Sequence, residues 1–264
     1  MTDSLEDLLL GTRDTHTGAE NHRAYVGPPA LYDYLGAAQF RLLTMLGLRE
    51  EHRLLDFGCG SLRAGRLFIP WLLPGRYFGV EPNRWLIDDA VRLELGADLI
   101  RLRGPRFDYN DRMQMDVFGT DFDMILAQSV FSHAGHDLFL TGLQQMAKTL
   151  APQGQALFTL METGSPATAR LPDGMDTEGW VYPGCTRFTA DEVAALADRA
   201  GLSVEPLDWF HPSQRWFRAV RKGQPPLSQA QIAALGLGRA LLDNRVADAA
   251  GGIAPRTPPK GTSP

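Results

Sequence analysis

Short apolar runs alternate with longer amphipathic stretches along most of this chain. The runs that predict strands are 53–57, 77–81, 98–102, 121–127, 155–160, 203–209 and 214–221. The stretches that predict helices between them are 62–73, 83–95, 137–150 and 190–200, the last opened by a capping box from Thr189 to Glu192. This βαβ alternation predicts an α/β fold with a doubly wound, mostly parallel sheet of seven strands.

The segments outside that alternation are predicted to have separate roles. Residues 1–48 form an N-terminal helical cap ahead of a core that occupies 49–222. The Gly/Pro-rich residues 162–188 are an insertion after the fifth strand, and we expect a loop of this length at a strand's carboxyl end to hang over the active face. Residues 223–250 contain a C-terminal helix, and 251–264 form a disordered tail.

Acidic residues stand at the ends of the first two predicted strands. Leu54-Leu55-Asp56-Phe57-Gly58-Cys59-Gly60 runs from apolar residues into an acid and two glycines, and Tyr77-Phe78-Gly79-Val80-Glu81 ends in a second acid. The glycines permit a sharp turn and a close approach of the main chain to a ligand. Because the chain between the two acids has room for one crossover helix, we expect their carboxylates to emerge side by side.

This pattern resembles the cofactor site of the class I S-adenosylmethionine (SAM) dependent methyltransferases, and the likeness extends over residues 50–222. In that family the glycine loop wraps the methionine and sugar parts of SAM, and the second acid binds the ribose hydroxyls. The resemblance implies SAM as cofactor, S-adenosylhomocysteine (SAH) as product and an antiparallel closing strand. Leu62 stands where the fuller family pattern has a third glycine.

A nicotinamide dinucleotide would use the same strand-turn-helix geometry. A bound pyrophosphate favours a third glycine or alanine and helix amides aimed at phosphate, whereas Leu62 and Arg63 occupy those positions. Acids at Asp56 and Glu81 suit the hydroxyls and the ammonium of SAM. An NAD(P)-dependent oxidoreductase is therefore the weaker alternative, and a non-catalytic SAM-binding regulatory protein is another.

The resemblance assigns ten residues to the cofactor. They are Asp56, Gly58, Cys59, Gly60, Glu81, Pro82, Asn83, Asp108, Gln128 and Ser129. Asp56 orients the loop or holds the ammonium through water, and Glu81 accepts from both ribose hydroxyls. Pro82 and Asn83 border the adenine, Asp108 accepts from the adenine amine, and Gln128 lies under the methionine part. Asp108 has the alternative of a solvated acid in the turn after the third strand.

The segment from Gln128 to His136 follows the fourth strand, where the methyl group meets the acceptor in the family. His133 is the candidate general base, because a neutral imidazole is available near pH 7; its alternative is a histidine that orients the loop. No Asn/Asp-Pro-Pro-aromatic motif stands here, which argues against a nucleobase amine as acceptor. His133, His136 and Asp137 surround Gly135 without a helix that would gather them, so we predict no metal site.

Aromatic and polar residues from three parts of the chain are candidates for acceptor binding. They are Tyr25 and Tyr32 in the cap, Trp180 and Tyr182 in the insertion, and Trp209, His211 and Arg215 around the turn between the closing strands. Each has a structural alternative, as a packing residue or a solvent-exposed one, and Tyr34 shares this ambiguity.

Charge and composition narrow the function class. The net charge is −5 and the basic residues are dispersed, which argues against nucleic acid as a partner. Cys59 and Cys185 are too few for a disulfide framework or a zinc site. With no signal peptide and no apolar run of membrane-spanning length, we predict a cytoplasmic protein, monomeric or homodimeric. Only three of the 26 basic residues are lysines, which suggests a GC-rich bacterial genome.

Together these features predict a SAM-dependent methyltransferase with a small-molecule acceptor. O-methylation leads, because hydroxyl acceptors are common within the resemblance and His133 offers a base. N-methylation comes next, and bacterial natural-product (secondary) metabolism is the predicted setting.

Overall fold

The computed structural model describes residues 20–163 and 178–237. Its strands are β1 Leu54–Phe57, β2 Tyr77–Val80, β3 Arg106–Asp108, β4 Phe122–Ala127, β5 Leu150–Glu162, β6 Arg187–Phe188, β7 Leu202–Leu207 and β8 Arg215–Arg221. They form one sheet in the order β3-β2-β1-β4-β5-β8-β7, and β6 pairs with the end of β5. β1 to β5 run parallel, and β8 is antiparallel to both its neighbours. The predicted α/β sheet with an antiparallel closing strand is confirmed, with the two-residue β6 as an unpredicted addition.

Helices cover both faces of the sheet. They are α1 His22–Tyr25, α2 Tyr32–Met45, α3 Gly65–Trp71, α4 Arg84–Ala90, α5 Ala97–Arg103, α6 His136–Thr149, α7 Ala190–Arg199 and α8 Gln229–Leu237. One apolar core contains Leu42, Phe68 and Ile87 from α2, α3 and α4. The other contains Phe139 and Val193 from α6 and α7. Helices on both faces of a mainly parallel sheet make the fold doubly wound, as predicted.

The third predicted strand was wrong. Residues 98–102 lie within α5, and the third strand is β3. Asp108, predicted to lie in the turn after the third strand, is the last residue of that strand. Gly104 adopts a left-handed conformation and its N–H donates to the Ile100 carbonyl, which ends the helix. The apolar residues of this stretch fit a helical stripe or a strand equally well, and the glycine at its end was the signal that favoured a helix.

The capping box at Thr189 is confirmed. The Glu192 N–H donates to Thr189 Oγ1 at 3.2 Å, and the Thr189 N–H donates to Glu192 Oε2 at 2.7 Å. These two bonds satisfy backbone donors that the start of α7 would leave without partners. In the part of the chain that the structure describes, no helix combines the length and apolar character needed to cross a membrane.

The N-terminal helical part docks on the core through charged groups. Glu94, which follows α4, accepts from His22 Nε2 at 2.8 Å and from Arg23 Nε at 2.9 Å. Asp33 on α2 lies 3.3 Å from Arg23 Nη1 and 2.5 Å from Arg66 Nη2 of α3. The predicted domain boundaries stay predictions. Part of the predicted insertion, part of the C-terminal helix and all of the tail lie outside the described residues.

Candidate active site

The carboxyl ends of β1, β2 and β3 bring acidic side chains to one edge of the sheet. Asp56 pairs with Gly79 in the ladder, and Val80, just before Glu81, pairs with Asp108. Glu81 Oε2 accepts from the Gly60 N–H at 3.1 Å. The two acids that the sequence singled out therefore stand on neighbouring strand ends, beside the glycine turn.

The two glycines of that turn are fixed by their neighbours. Gly58 has φ +72 and Gly60 has φ +53, a backbone region that side chains rarely adopt. A Cβ at Gly58 would lie 2.3 Å from Val130 Cγ2, and one at Gly60 would lie 2.7 Å from Val26 Cγ1. Val130 follows β4 and Val26 belongs to the N-terminal segment. The turn is thus packed between the residues after β4 and the cap.

Leu62 takes a left-handed conformation where the family pattern has a third glycine. Its φ is +57 and its side chain is fully buried. For a residue with a side chain this conformation costs about 1–2 kcal/mol. The leucine therefore keeps a glycine-like backbone and fills the core beneath the turn.

Burial changes the titration of both acids. Asp56 Oδ2 accepts from Tyr77 Oη at 2.7 Å, and burial raises the pKa of Asp56 to about 6. Burial also raises the pKa of Glu81. Glu81 Oε1 accepts from the backbone N–H of Asn83 at 2.8 Å and from its Nδ2 at 2.9 Å. A grip on two hydroxyls with both carboxylate oxygens would require Asn83 to release Oε1.

The other residues assigned to the cofactor differ in their exposure. Cys59 is buried against Gly79, where an added Cβ would lie 2.9 Å from its Sγ, and burial raises the pKa of its thiol. Pro82 is exposed. Asp108 Oδ1 accepts from the backbone N–H and the Nδ2 of Asn110, at 3.0 and 2.6 Å. One oxygen of Asp108 is therefore engaged by its own turn.

Gln128, directly after β4, has an unsatisfied amide. The residue is 7% exposed, and its Nε2 has no hydrogen-bond partner among the described residues. Leaving a buried donor unpaired costs about 1–3 kcal/mol. An acceptor atom on a bound molecule would satisfy it.

A polar network lies beside Gln128. The Ser129 N–H donates to Thr159 Oγ1 at 2.8 Å, and Ser129 Oγ lies 3.3 Å from His211 Nε2. Gln214 Nε2 donates to the hydroxyls of Ser129 and Ser132, at 3.2 and 3.3 Å. His211 Nδ1 accepts from the backbone N–H of Gln214 at 3.0 Å, so the neutral ring carries its proton at Nε2. His211 is therefore a donor towards Ser129, and burial lowers its pKa to about 3.

His133 has the opposite tautomer. Its Nδ1 donates to the Gly184 carbonyl at 2.6 Å, which leaves the lone pair of the neutral ring at Nε2. The ring contacts the edge of Tyr182 at a centroid distance of 5.2 Å, and Cys185 Sγ lies 3.7 Å from Nδ1. Burial lowers the pKa of His133. The segment after residue 177 thus orients this ring.

Aromatic rings from the cap, from α4 and from the segment after residue 177 contact one another. Tyr25 stacks on Tyr182 at 6.4 Å and meets the edge of Trp85 at 5.3 Å. Burial raises the pKa of Tyr25, with contributions from Tyr182 and from the charge of Glu81. Trp180 lies apart from the stack, with its Nε1 donating to the Asp111 carbonyl at 2.8 Å. Tyr25 and Tyr182 are thus brought together, as expected of residues at the mouth of one site.

Three other acceptor candidates have different surroundings. Tyr32 is buried and its hydroxyl donates to the Ser61 carbonyl at 2.8 Å, which ties the cap to the cofactor turn. Trp209 is buried in the core on the α2 face. Arg215 is exposed and lies 3.1 Å from Glu162. Tyr32 and Arg215 thus have the contacts of a packing and a surface residue, whereas the buried Nε1 of Trp209 has no hydrogen-bond partner among the described residues.

Tyr34 has surroundings that suit a ligand better. Its ring meets Phe210 at 5.3 Å, its buried hydroxyl has no partner among the described residues, and burial raises its pKa to about 12. Sequence reasoning missed the roles of Thr159 and Gln214 in the polar network, because nothing in a strand or turn pattern marks them. It also passed over the burial of Arg63, although a charged residue beside a glycine turn and an apolar run was a usable signal.

Within the described ranges, side chains of His, Cys, Asp and Glu nowhere come together in threes as a metal site would need.

A family model described as a methyltransferase domain matches residues 30–207, most of the chain. The chain belongs to this family. It is a class I SAM-dependent methyltransferase, as the residues around Asp56 and Glu81 predicted. No curated protein matches its sequence.

Solved structures of low sequence identity share the methyltransferase fold. A SAM-dependent methyltransferase from Clostridium acetobutylicum ATCC 824 has 12% identity and a TM-score of 0.55, and the match covers 72% of this chain and 93% of that one. Magnesium protoporphyrin IX methyltransferase from Synechocystis PCC 6803, with bound SAH, has 14% identity and a TM-score of 0.54, covering 80% and 93%. The glycopeptide N-methyltransferase MtfA has 13% identity and a TM-score of 0.52, covering 70% and 90%.

The residues of the methyltransferase site fit its cofactor. The glycine turn and the two acids on adjacent strand ends can surround a molecule that carries hydroxyls and an ammonium. The unpartnered Gln128 Nε2 can donate to one of its oxygens. These groups would hold SAM at the carboxyl edge of β1, β2 and β4, where ligands of open α/β sheets bind.

Proposed function

We propose that this methyltransferase transfers the methyl group to a hydroxyl of a small-molecule acceptor, with His133 as the general base. The supporting observation is the hydrogen bond from His133 Nδ1 to the Gly184 carbonyl, at 2.6 Å. Since a carbonyl can only accept, Nε2 holds the lone pair that can take a proton. Burial lowers the pKa of His133, so the ring is neutral at pH 7 and ready to act.

Each group near His133 has a distinct task in the proposed reaction. SAM supplies a methyl group that is already activated on a sulfonium, so alignment is the main task of the protein. Gly184 and Tyr182 fix the His133 ring, and Nε2 takes the proton that the hydroxyl loses. Tyr34 Oη, which is buried and has no partner among the described residues, is available to position the acceptor.

Methylation of an amine is the second candidate. A neutral amine needs no base, only alignment with the methyl group. MtfA, one of the proteins of similar fold, is named as an N-methyltransferase of a glycopeptide. The cytoplasmic location, the bacterial natural-product setting and the monomeric or homodimeric state are proposals that stand on the sequence.

The test uses isotopically labelled SAM, a metabolite extract of the source organism and mass spectrometry of the labelled product. We expect His133→Gln to lower product formation by about 10²- to 10⁴-fold. SAH affinity measured by calorimetry should stay unchanged, because the cofactor residues are intact. Wild-type turnover should rise with pH through the lowered pKa of His133 and then level off.

The matched control is His52→Gln, a histidine bonded to its own surface turn. It should leave turnover unchanged. If His133→Gln remains fully active and the label is found on nitrogen, the amine alternative replaces the proposed hydroxyl transfer. The fragmentation pattern of the product identifies the methylated atom.

A further inference from the structure

Arg63 is a buried cation beside the cofactor turn. It is 9% exposed, and its guanidinium donates to the Val26 carbonyl at 3.0 Å and to Gln39 Oε1 at 3.4 Å. A guanidinium has five N–H donors, so these two bonds do not satisfy it. Among the described residues, no carboxylate oxygen forms an ion pair with it within 4.0 Å.

The charge of Arg63 acts on groups from both sides of the site. Burial raises the pKa of Asp56 to about 6, and the charge of Arg63 opposes that rise. Burial and, to a smaller extent, the charge of Arg63 lower the pKa of His211 to about 3. The charge of Arg63 is therefore felt by the acid at the end of β1 and by the histidine that contacts Ser129. Arg66, the next arginine along the chain, is paired with Asp33.

No group of the described chain neutralises this charge well. Burying a cation without a paired anion is strongly unfavourable. Asp56, whose charge acts on Arg63, is bonded to Tyr77 Oη and is not in ion-pair contact with the guanidinium. An anion from a bound molecule would supply the missing partner.

We propose that Arg63 binds a carboxylate of a bound molecule through the guanidinium N–H groups that Val26 and Gln39 leave free. The inference rests on the proposed function, since the carboxylate belongs to the amino-acid part of the methyl donor or to the acceptor. A guanidinium presents parallel N–H groups that match a carboxylate, whereas the ammonium of lysine is a point charge. Arg63→Lys should therefore restore only part of the binding that Arg63→Gln loses.

Two ligands separate the sources by calorimetry. SAH carries the donor's carboxylate, and 5′-methylthioadenosine keeps the adenosine and the thioether but lacks the amino-acid part. If Arg63 binds the donor, Arg63→Gln weakens SAH binding by roughly 10- to 100-fold and leaves binding of 5′-methylthioadenosine unchanged. The unchanged second affinity also shows that the variant is folded. Arg101→Gln, an exposed arginine paired with Asp98, is the control.

If Arg63 binds the acceptor, both affinities stay unchanged in Arg63→Gln. When the variant is incubated with labelled SAM and the same extract, it then fails to form the labelled products that an anion exchanger retains. The inference would be overturned if Arg63→Gln bound SAH as tightly as the wild type and formed the same labelled products. A parallel loss of affinity for SAH and for 5′-methylthioadenosine would also overturn it. Wild-type protein that binds SAH but labels no acceptor would count against the proposed function, while the SAH comparison would still decide the role of Arg63.

Discussion

The proposed donor side and the proposed acceptor side of this site, called the donor side and the acceptor side below, are built from different kinds of chain segment. Asp56, Gly58, Gly60 and Glu81 come from two consecutive strand-turn units, whose adjacency follows from the β1–β2 pairing. The acceptor side gathers His133 and its partner Gly184, Tyr34 of the cap and His211 of the β7–β8 turn. A site made from neighbouring strand ends is specified locally, whereas one assembled from distant segments depends on the whole fold.

The two sides also differ in how fully their polar groups are satisfied. Asp56 and Glu81 are hydrogen-bonded to Tyr77, Gly60 and Asn83. Tyr34 Oη on the acceptor side is buried and has no partner among the described residues. The two acids of the donor side are therefore preorganised by the protein itself, whereas Gln128 Nε2 on that side and Tyr34 Oη on the other remain available to bound molecules.

The largest expected effect tests the packing of the donor side. Gly58→Ala places a Cβ 2.3 Å from Val130 Cγ2 at a φ of +72. The left-handed backbone and the overlap together should destabilise the protein by about 2–4 kcal/mol, and SAH binding should weaken because the turn is displaced. Urea unfolding and calorimetry measure the two changes.

A matched glycine separates the two causes. Gly75 has the same φ of +72, and nothing lies within 4 Å of its added Cβ. Gly75→Ala should cost only the backbone term, about 1 kcal/mol, and leave SAH binding intact. Combining Gly58→Ala with Val130→Ala should restore part of the loss. Equal destabilisation of the two single variants would show that the contact with Val130 is unimportant.

The contrast between the two sides explains what the sequence could predict. The glycine turn, Asp56 and Glu81 were found because a strand, an acid and a turn are all encoded within a few residues. The hydrogen bond of His133 to Gly184 joins segments far apart in sequence, so only the tertiary structure reveals the tautomer. Residues 98–102 were wrongly predicted as a strand, because a short apolar run fits both secondary structures and only packing decides between them.

A smaller effect concerns Leu62, which holds a left-handed backbone with a buried side chain. Leu62→Gly should be more stable than Leu62→Ala by about 1 kcal/mol, because glycine adopts this φ without strain. At Leu43, which is buried within α2, the alanine variant should instead be more stable than the glycine variant by about 1 kcal/mol, since glycine is the poorer helix former. Urea denaturation of the four variants measures both gaps. The same order at both positions would contradict the assigned strain.

The smallest expected effect is a difference in pH dependence between the sides. The pKa of His211 is lowered to about 3 by burial, so between pH 3 and pH 6.5 the unfolded chain binds more protons there and stability falls as pH falls. Asp56, with its pKa raised to about 6 by burial, acts with the opposite sign, and its contribution falls as pH rises from about 4 to 6. When the pH falls from 7 to 6, the free energy of unfolding of the wild-type protein should fall by at most about 0.7 kcal/mol more than that of His211→Gln.

Urea unfolding of both proteins at the two pH values measures this difference, and Asp56→Asn supplies the comparison from the donor side. His211→Gln should flatten the loss of stability on acidification, whereas Asp56→Asn should steepen it, because it removes a group that takes up a proton in the folded state. Burial lowers the pKa of His211 and raises the pKa of Asp56. The two substitutions should therefore change the pH dependence of stability in opposite directions. Changes of the same sign would mean that the two groups do not titrate independently, and Arg63, whose charge acts on both, would be the first residue to substitute.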